Sequence, residues 1–127
     1  MSNPHKGRTG IDRIARATGH SLQGLVSAWQ AESAFRQEVA LAAVLLPATF
    51  WVATSWIEAV LLAGSVMLVL IVELLNSAIE ATVDRISLDL HPLAKQAKDV
   101  GSAAVMLALV LCAAIWCTAL AQRWGLL

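Results

Sequence analysis

The sequence predicts an all-α integral membrane protein with three transmembrane helices and an N-terminal amphipathic helix on the membrane surface. Of its 127 residues, 58% are hydrophobic and only 14% are charged, whereas soluble domains carry about 25% charged residues. Nine Lys and Arg residues balance nine Asp and Glu residues. This balance argues against a nucleic-acid partner, because proteins that bind phosphate backbones usually have a basic excess. We expect residues 1–127 to form a single membrane domain.

The first predicted element is a surface helix over about residues 9–31. Thr9 and Asp12 fit a capping box at its start. Arg13 and Arg16 lie mainly off its apolar stripe, a pattern typical of a helix lying on the cytoplasmic membrane surface. A simple membrane anchor is the plainer interpretation of this pattern. The apolar stripe consists of Ile11, Ile14, Ala15, Leu22, Leu25, Val26 and Trp29.

Three predicted spans follow, at about residues 36–55, 58–84 and 98–122. Residues 39–57 and 100–122 contain no charged side chain, and residues 59–72 are uncharged up to Glu73. About 20 residues at 1.5 Å each reach the roughly 30 Å thickness of the hydrocarbon core. The uncharged stretches lack the regular polar face of a soluble bundle, so we interpret them as membrane helices.

The distribution of Lys and Arg predicts the orientation. Five of these residues precede the first span, three flank the second loop and one follows the third span. The positive-inside rule therefore places the N-terminus and second loop in the cytoplasm and the C-terminus outside. The first 30 residues lack a continuous apolar core, so we expect no cleavable signal peptide. An aromatic belt at the outer interface is predicted from Trp51, Trp56, Trp116 and Trp124.

The second span carries a polar stripe that we call the acidic face. At 3.6 residues per turn its members lie within an arc of about 100°. A charge at the bilayer centre costs about 2.5–3.5 kcal/mol, so this face must contact protein, water or a ligand. The acidic face consists of Glu73, Asn76, Ser77, Glu80 and Asp84.

Three functions fit the acidic face. Polar side chains can join helices, intramembrane carboxylates can form an ion or proton path, and carboxylate oxygens can bind Mg²⁺. The residues alone favour transport and metal-assisted catalysis equally. They favour a role in joining helices less. Charges also collect at the predicted cytoplasmic ends of the other spans, which favours a one-sided site for phosphate. No phosphate-binding glycine loop is present, so soluble kinase architectures are excluded.

The acidic face also resembles the signature of the small, membrane-integral prokaryotic diacylglycerol kinases. The similar segments are Glu73-x-Leu-Asn76-Ser77-Ala-Ile-Glu80-x-x-Val-Asp84, Ala34-Phe35-Arg36-Gln37-Glu38 and Ala97-Lys98-Asp99-x-Gly101-Ser102. The resemblance implies a homotrimeric enzyme of the bacterial inner membrane, with active sites shared between subunits. Such an enzyme transfers the γ-phosphate of ATP, as its Mg²⁺ complex, to diacylglycerol and forms phosphatidate.

The resemblance also implies roles for individual residues. Glu73 matches the general base that takes the proton of the lipid hydroxyl, and Glu32 and Glu80 match the carboxylates that hold Mg²⁺. Asn76 and Asp84 would orient these groups. The positions that match ATP contacts are Arg13, His20, Glu32, Glu80, Asp89, Leu90, His91, Lys98 and Asp99.

Contacts with the lipid substrate are implied for the surface helix, the start of the first span and the outer parts of the spans. Two alternatives to diacylglycerol phosphorylation stay open at this point. A related branch of the family phosphorylates undecaprenol, and a small cation or proton carrier could use Glu73 and Glu80. The implied lipid contacts are Arg13, Ala34, Phe35, Arg36, Gln37, Glu38, Trp51, Glu73, Ser102 and Trp116.

Overall fold

The computed structural model describes residues 10–127, which contain only helices as regular structure. These are α1 (Ile11–Ala31), α2 (Ser33–Val52), α3 (Trp56–Ile86) and α4 (Pro92–Arg123). Helices α2, α3 and α4 are each long and apolar enough to cross a membrane. The predicted all-α class and its three candidate membrane helices are thereby confirmed. Lys6, Arg8 and Thr9, on which parts of the sequence analysis depend, lie outside the described residues.

Helix α1 ends in a sharp corner at Glu32, which has extended backbone angles (φ −114°, ψ 110°) between two helices. The Glu32 N–H still donates to the carbonyl of Ala28 at 2.9 Å. One turn into α2, Arg36 Nη1 donates to the carbonyls of Trp29 (2.7 Å) and Gln30 (3.3 Å). These carbonyls belong to the last turn of α1, where intrahelical partners run out. Arg36 therefore fixes the corner that carries Glu32.

The start of α3 is fixed by side-chain capping. Ser55 Oγ accepts a hydrogen bond from the Glu58 N–H at 3.1 Å. The Glu58 carboxylate accepts in return from the Thr54 N–H at 3.1 Å and from the Thr54 hydroxyl. This reciprocal arrangement is close to a capping box. With Ser55 as its cap, α3 begins at Trp56, two residues before the start predicted for the second span.

Helix α4 begins at Pro92, well before the start at about residue 98 that was predicted for the third span. His91 Nδ1 accepts from the Leu93 N–H at 3.1 Å, and Pro92 occupies the first turn, where its missing N–H costs nothing. Lys95 Nζ pairs with Asp99 at 2.5 Å, four residues further along the same helix. These local interactions extend the helix beyond the apolar segment that identified the span.

Helix α3 packs against both α2 and α4, and α1 contacts α2 and α3. Short loops make neighbouring spans antiparallel, so the Trp51 and Trp124 rings meet edge to face at 6.3 Å at one end. At the buried centre, Trp116 Nε1 donates to the Leu62 carbonyl at 3.2 Å. The acidic face lies toward the opposite end of α3. The core consists of Ala42, Val52, Leu62, Val66, Val69, Ala108, Cys112, Trp116 and Ala119.

Candidate active site

The acidic face changes from buried to exposed along α3. Glu73 is 4% exposed and Asn76 is 9% exposed, whereas Glu80 is half-buried and Asp84 is exposed. Asn76 Nδ2 donates to Glu80 Oε1 at 3.3 Å. The face thus joins one deeply buried carboxylate to two that a water-soluble ligand can reach.

Carboxylates from three parts of the chain converge near Glu73. Glu73 interacts electrostatically with Glu80, about two turns further along the same face of α3, and with Glu32 at the α1–α2 corner. Glu38 of α2 also interacts with Glu73, and its buried Oε2 has no hydrogen-bond partner among the described residues. Like charges at such proximity repel unless a cation or a proton intervenes. The site is therefore suited to bind a cation or to accept a proton.

The donor set suits Mg²⁺ that arrives with a phosphate ligand. Within residues 10–127, no three His, Cys, Asp or Glu side chains form a ready-made metal cage. Mg²⁺ usually binds through one or two carboxylates plus substrate phosphates and waters. Glu32 and Glu80 are half-buried carboxylates that both interact with Glu73, so this pair fits the magnesium that the sequence analysis predicts.

Lys98 brings positive charge to the exposed end of the acidic face. Its Nζ donates to Asp84 Oδ1 at 2.6 Å, and it also interacts electrostatically with Glu80. Lys98 lies on α4 and both carboxylates lie on α3, so this pairing links the polar side chains of the two helices at the site. A lysine in this place can neutralise phosphate oxygens beside the carboxylates.

A cavity of about 630 Å³ lies beside this pair, between the second loop and the start of α4. Its volume falls within the range of about 300–1,000 Å³ that is usual for small-ligand sites. Five of the predicted ATP-contacting residues line it together, which supports the prediction that they act on one ligand. These residues are Asp89, Leu90, His91, Lys98 and Asp99.

A second groove, of about 570 Å³, runs between α1 and α3. Glu32 and Ser77 line it together with small residues such as Gly24 and Ala78. Glu32 and Lys98 therefore line different cavities within one chain. The predicted ATP contacts are therefore not gathered in one cavity, since Glu32 lines the groove, five others line the cavity at the second loop, and Arg13, His20 and Glu80 line neither.

The remaining predicted site residues are more dispersed. Arg13 and His20 lie on the exposed surface of α1, and Phe35 is buried at the start of α2. Trp51 lies about 20 Å along α2 from Glu38, at 1.5 Å per residue, and Trp116 is buried in the core. The lipid contacts assigned to these positions stay predictions. At the surface of the chain lie Ala34, Gln37 and Ser102, and Arg36 is half-buried.

Gly101 is a neighbour of the site whose role the residue pattern did not reveal. It is buried on α4, and a Cβ built on it would collide with Asn76 Oδ1 and lie 3.3 Å from Asn76 Cγ. In the sequence, the feature that could have pointed to Gly101 was its place in the Lys98-Asp99-x-Gly101 segment, which is one of the segments that resemble the family. Periodicity could not reveal the contact, because it arises between two helices.

We predict that the Asp84–Lys98 pair contributes little to stability. The side chains are 47% and 41% exposed, and half-exposed pairs are typically worth about 0.2–1 kcal/mol. A double-mutant cycle of Asp84→Asn and Lys98→Met should give a coupling in that range, measured as the free energy of unfolding in detergent micelles. A coupling of about 3 kcal/mol or more, typical of a pair removed from water, would contradict this prediction.

The chain is similar to known proteins over most of its length. The family described as prokaryotic diacylglycerol kinase matches residues 19–120, a range that contains the whole acidic face. A diacylglycerol kinase of Pseudomonas aeruginosa is 53% identical over 118 residues, covering 93% of this chain and 96% of the relative. That of Escherichia coli K12 is 48% identical over 117 residues, covering 92% and 96%. That of Haemophilus influenzae is 47% identical over 108 residues, covering 85% and 92%.

Proposed function

The chain belongs to the prokaryotic diacylglycerol kinase family, and we propose that it phosphorylates membrane diacylglycerol to phosphatidate, using ATP as its Mg²⁺ complex. The observation that carries this proposal is the electrostatic interaction of the buried Glu73 with both Glu32 and Glu80. A carboxylate pair for a metal, beside a carboxylate for a proton, is what phosphoryl transfer to a hydroxyl requires. The family and its relatives are lipid kinases, which supports a kinase role for the acidic face and gives no support to a carrier.

Each residue of the site has a separate task in this reaction. Glu73 accepts the proton of the lipid hydroxyl as that oxygen bonds to the γ-phosphorus and the bond to the ADP oxygen breaks. Glu32 and Glu80 would hold Mg²⁺, which supplies charge neutralisation between the phosphates when bound. Lys98 compensates the charge on the transferring phosphoryl group. Asn76 orients Glu80 through its hydrogen bond, and Asp84 orients Lys98.

The lipid and the nucleotide reach this site from different directions. Glu73 is buried among membrane helices, while Asp84, Asp89 and His91 are exposed at the end of α3 and in the second loop. A membrane-dissolved hydroxyl can thus approach from the bilayer as ATP approaches from water. The α1–α3 groove and the start of α2 are suited to the lipid, and the cavity at the second loop is suited to the nucleotide.

The proposal places the protein in the bacterial inner membrane, with the N-terminus in the cytoplasm and the C-terminus outside. Cytoplasmic ATP requires the second loop to face the cytosol, which agrees with its Lys and Arg residues. Helix α1 would lie on the inner membrane surface, because Ile14, Leu22 and Trp29 expose large apolar side chains that suit the headgroup boundary.

We also propose a homotrimer with shared active sites. Within one chain, Glu32 and Lys98 line separate cavities. The predicted ATP contacts of a single chain therefore do not surround one common cavity. Helix α4 exposes large apolar side chains, such as Met106, Leu107 and Val110, outside its contact with α3. Packing neighbouring subunits along these faces would bring separate halves of the site together.

A vesicle assay separates the kinase from an ion carrier. Purified protein in diacylglycerol-containing vesicles should convert ATP and diacylglycerol to phosphatidate only when Mg²⁺ is present. Chelation of Mg²⁺ should abolish the product, because the cation that would neutralise the phosphates is then absent. Proton or cation flux without ATP, in the absence of phosphatidate formation, would contradict the kinase proposal and favour the carrier.

A further inference from the structure

Gly101 is the point at which α4 approaches the acidic face most closely. A Cβ built there would overlap Asn76 Oδ1 and lie 3.3 Å from Asn76 Cγ. Any side chain at position 101 therefore requires Asn76 to move. Gly64 provides a contrast, because a Cβ built on this glycine of α3 meets no atom within 4 Å.

The Asn76 amide is held in one orientation by its surroundings. Its Nδ2 donates to Glu80 Oε1 at 3.3 Å, while its buried Oδ1 has no conventional partner among the described residues. Because the built Cβ lies along a Cα–H bond of Gly101, that bond points at Oδ1 and can form a weak hydrogen bond. The reverse amide orientation would place Oδ1 against the Glu80 carboxylate, where two acceptors repel.

We propose that Gly101 is a positioning residue for Glu80, acting through the Asn76 amide. The absent side chain at position 101 leaves the space in which Asn76 can direct its N–H to Glu80. Glu80 is thereby held in the orientation that binds Mg²⁺. This inference rests on the proposed function, since it concerns the metal-holding role of Glu80.

The alternative is that Gly101 merely allows two helices to pack closely. Both accounts predict that Gly101→Ala disturbs the protein, but only the positioning account predicts a specific loss of Mg²⁺ binding. Partners that orient a metal ligand typically contribute about 10- to 100-fold in metal affinity. The half-saturating Mg²⁺ concentration therefore distinguishes the accounts.

The experiment uses full-length protein in detergent micelles and four variants: Gly101→Ala, Asn76→Ala, the double variant and the control Gly64→Ala. Binding of a fluorescent ATP analogue is titrated at graded Mg²⁺ concentrations, so inactive variants are also measured. Thermal unfolding is recorded alongside. The double variant is sterically permitted, because the built Gly101 Cβ lies 4.0 Å from the Asn76 Cβ that remains.

Gly101→Ala and Asn76→Ala should each raise the half-saturating Mg²⁺ concentration by about 10- to 100-fold, and Gly64→Ala should leave it unchanged. In the Asn76→Ala background, the Gly101 substitution should add less than about twofold, because the shared contact is already lost. The inference is overturned if Gly101→Ala binds Mg²⁺ like Gly64→Ala, or if its full effect persists without the Asn76 amide.

Two further outcomes are decided by the same data. If Gly101→Ala unfolds, Asn76→Ala still tests the link to Glu80, and wild-type Mg²⁺ dependence in that variant overturns the inference. If the wild type binds Mg·ATP but forms no phosphatidate, the proposed function fails, while the linkage between Gly101 and Asn76 is still measured. An active wild type whose Gly101→Ala variant is unaffected refutes only the positioning role.

Discussion

Replacing Glu73 by Gln is expected to lower kcat for phosphatidate formation by about 10²- to 10⁴-fold, the usual contribution of a general base. Glutamine keeps the size of the side chain but cannot take the hydroxyl proton. The KM for Mg·ATP should change little, because Glu32 and Glu80 hold the metal. Loss of an interaction made only in the transition state lowers kcat and kcat/KM together. Initial rates at saturating ATP and diacylglycerol measure the effect.

Glu58→Gln is the matched control, since it makes the same change near the other end of α3. The Glu58 carboxylate accepts a hydrogen bond from the Thr54 N–H next to the start of the helix. It has no part in the proposed reaction. The Glu58→Gln variant should therefore retain near-normal kcat. The oligomeric state and ATP binding of Glu73→Gln should equal those of the wild type. Near-normal turnover in Glu73→Gln would show that another group accepts the proton.

Replacing Glu80 by Gln is expected to raise the Mg²⁺ concentration for half-maximal activity by at least about tenfold. Loss of a group that only orients a ligand costs about 10- to 100-fold in affinity, so loss of the ligand itself should cost no less. Neutral Gln also removes the negative charge that attracts the cation. Rates measured over a wide range of Mg²⁺ concentrations, at fixed ATP, give the shift.

Excess Mg²⁺ separates the role of Glu80 from that of Glu73. High Mg²⁺ should partly restore the rate of Glu80→Gln, because the defect lies in binding, and should not restore Glu73→Gln. Glu32→Gln should behave like Glu80→Gln. Equal rescue of the Glu73 and Glu80 variants would mean that the two carboxylates do not have separate tasks.

The sequence predicted those parts of the site that lie on one helix. Helical periodicity alone places Glu73, Asn76, Glu80 and Asp84 on one face, and the structure shows burial decreasing along it. Apolar length identified the three candidate spans, because few charges can be tolerated in the hydrocarbon core. These features depend only on the local geometry of a single helix and on the apolar hydrocarbon that surrounds it.

Features that depend on contacts between elements could not be predicted from periodicity. The proximity of Glu32 to Glu73 depends on the corner between α1 and α2, which Arg36 stabilises. The overlap of Gly101 with the Asn76 amide depends on how closely α4 approaches α3. Family resemblance assigned a role to Glu32 but none to Gly101.

Helix ends were predicted less well because hydropathy does not register capping. The starts of α3 and α4 depend on single acceptors, Ser55 Oγ and His91 Nδ1. Ser55 lies within the uncharged stretch 39–57, where hydropathy does not distinguish the end of one helix from the start of the next, and His91 lies outside the apolar segments. The early start of α4 matters for the site, because it places Lys95, Lys98 and Asp99 on one continuous helix beside the second loop.

A competition assay tests the central claim most directly. Wild-type protein in mixed micelles receives γ-labelled Mg·ATP with equimolar diacylglycerol and undecaprenol, and the labelled lipids are separated. We predict that the label enters phosphatidate, that undecaprenyl phosphate is a minor product, and that Glu73→Gln labels neither lipid above background. Label confined to undecaprenyl phosphate, or absent from both lipids with the wild type, would contradict the assignment as a diacylglycerol kinase.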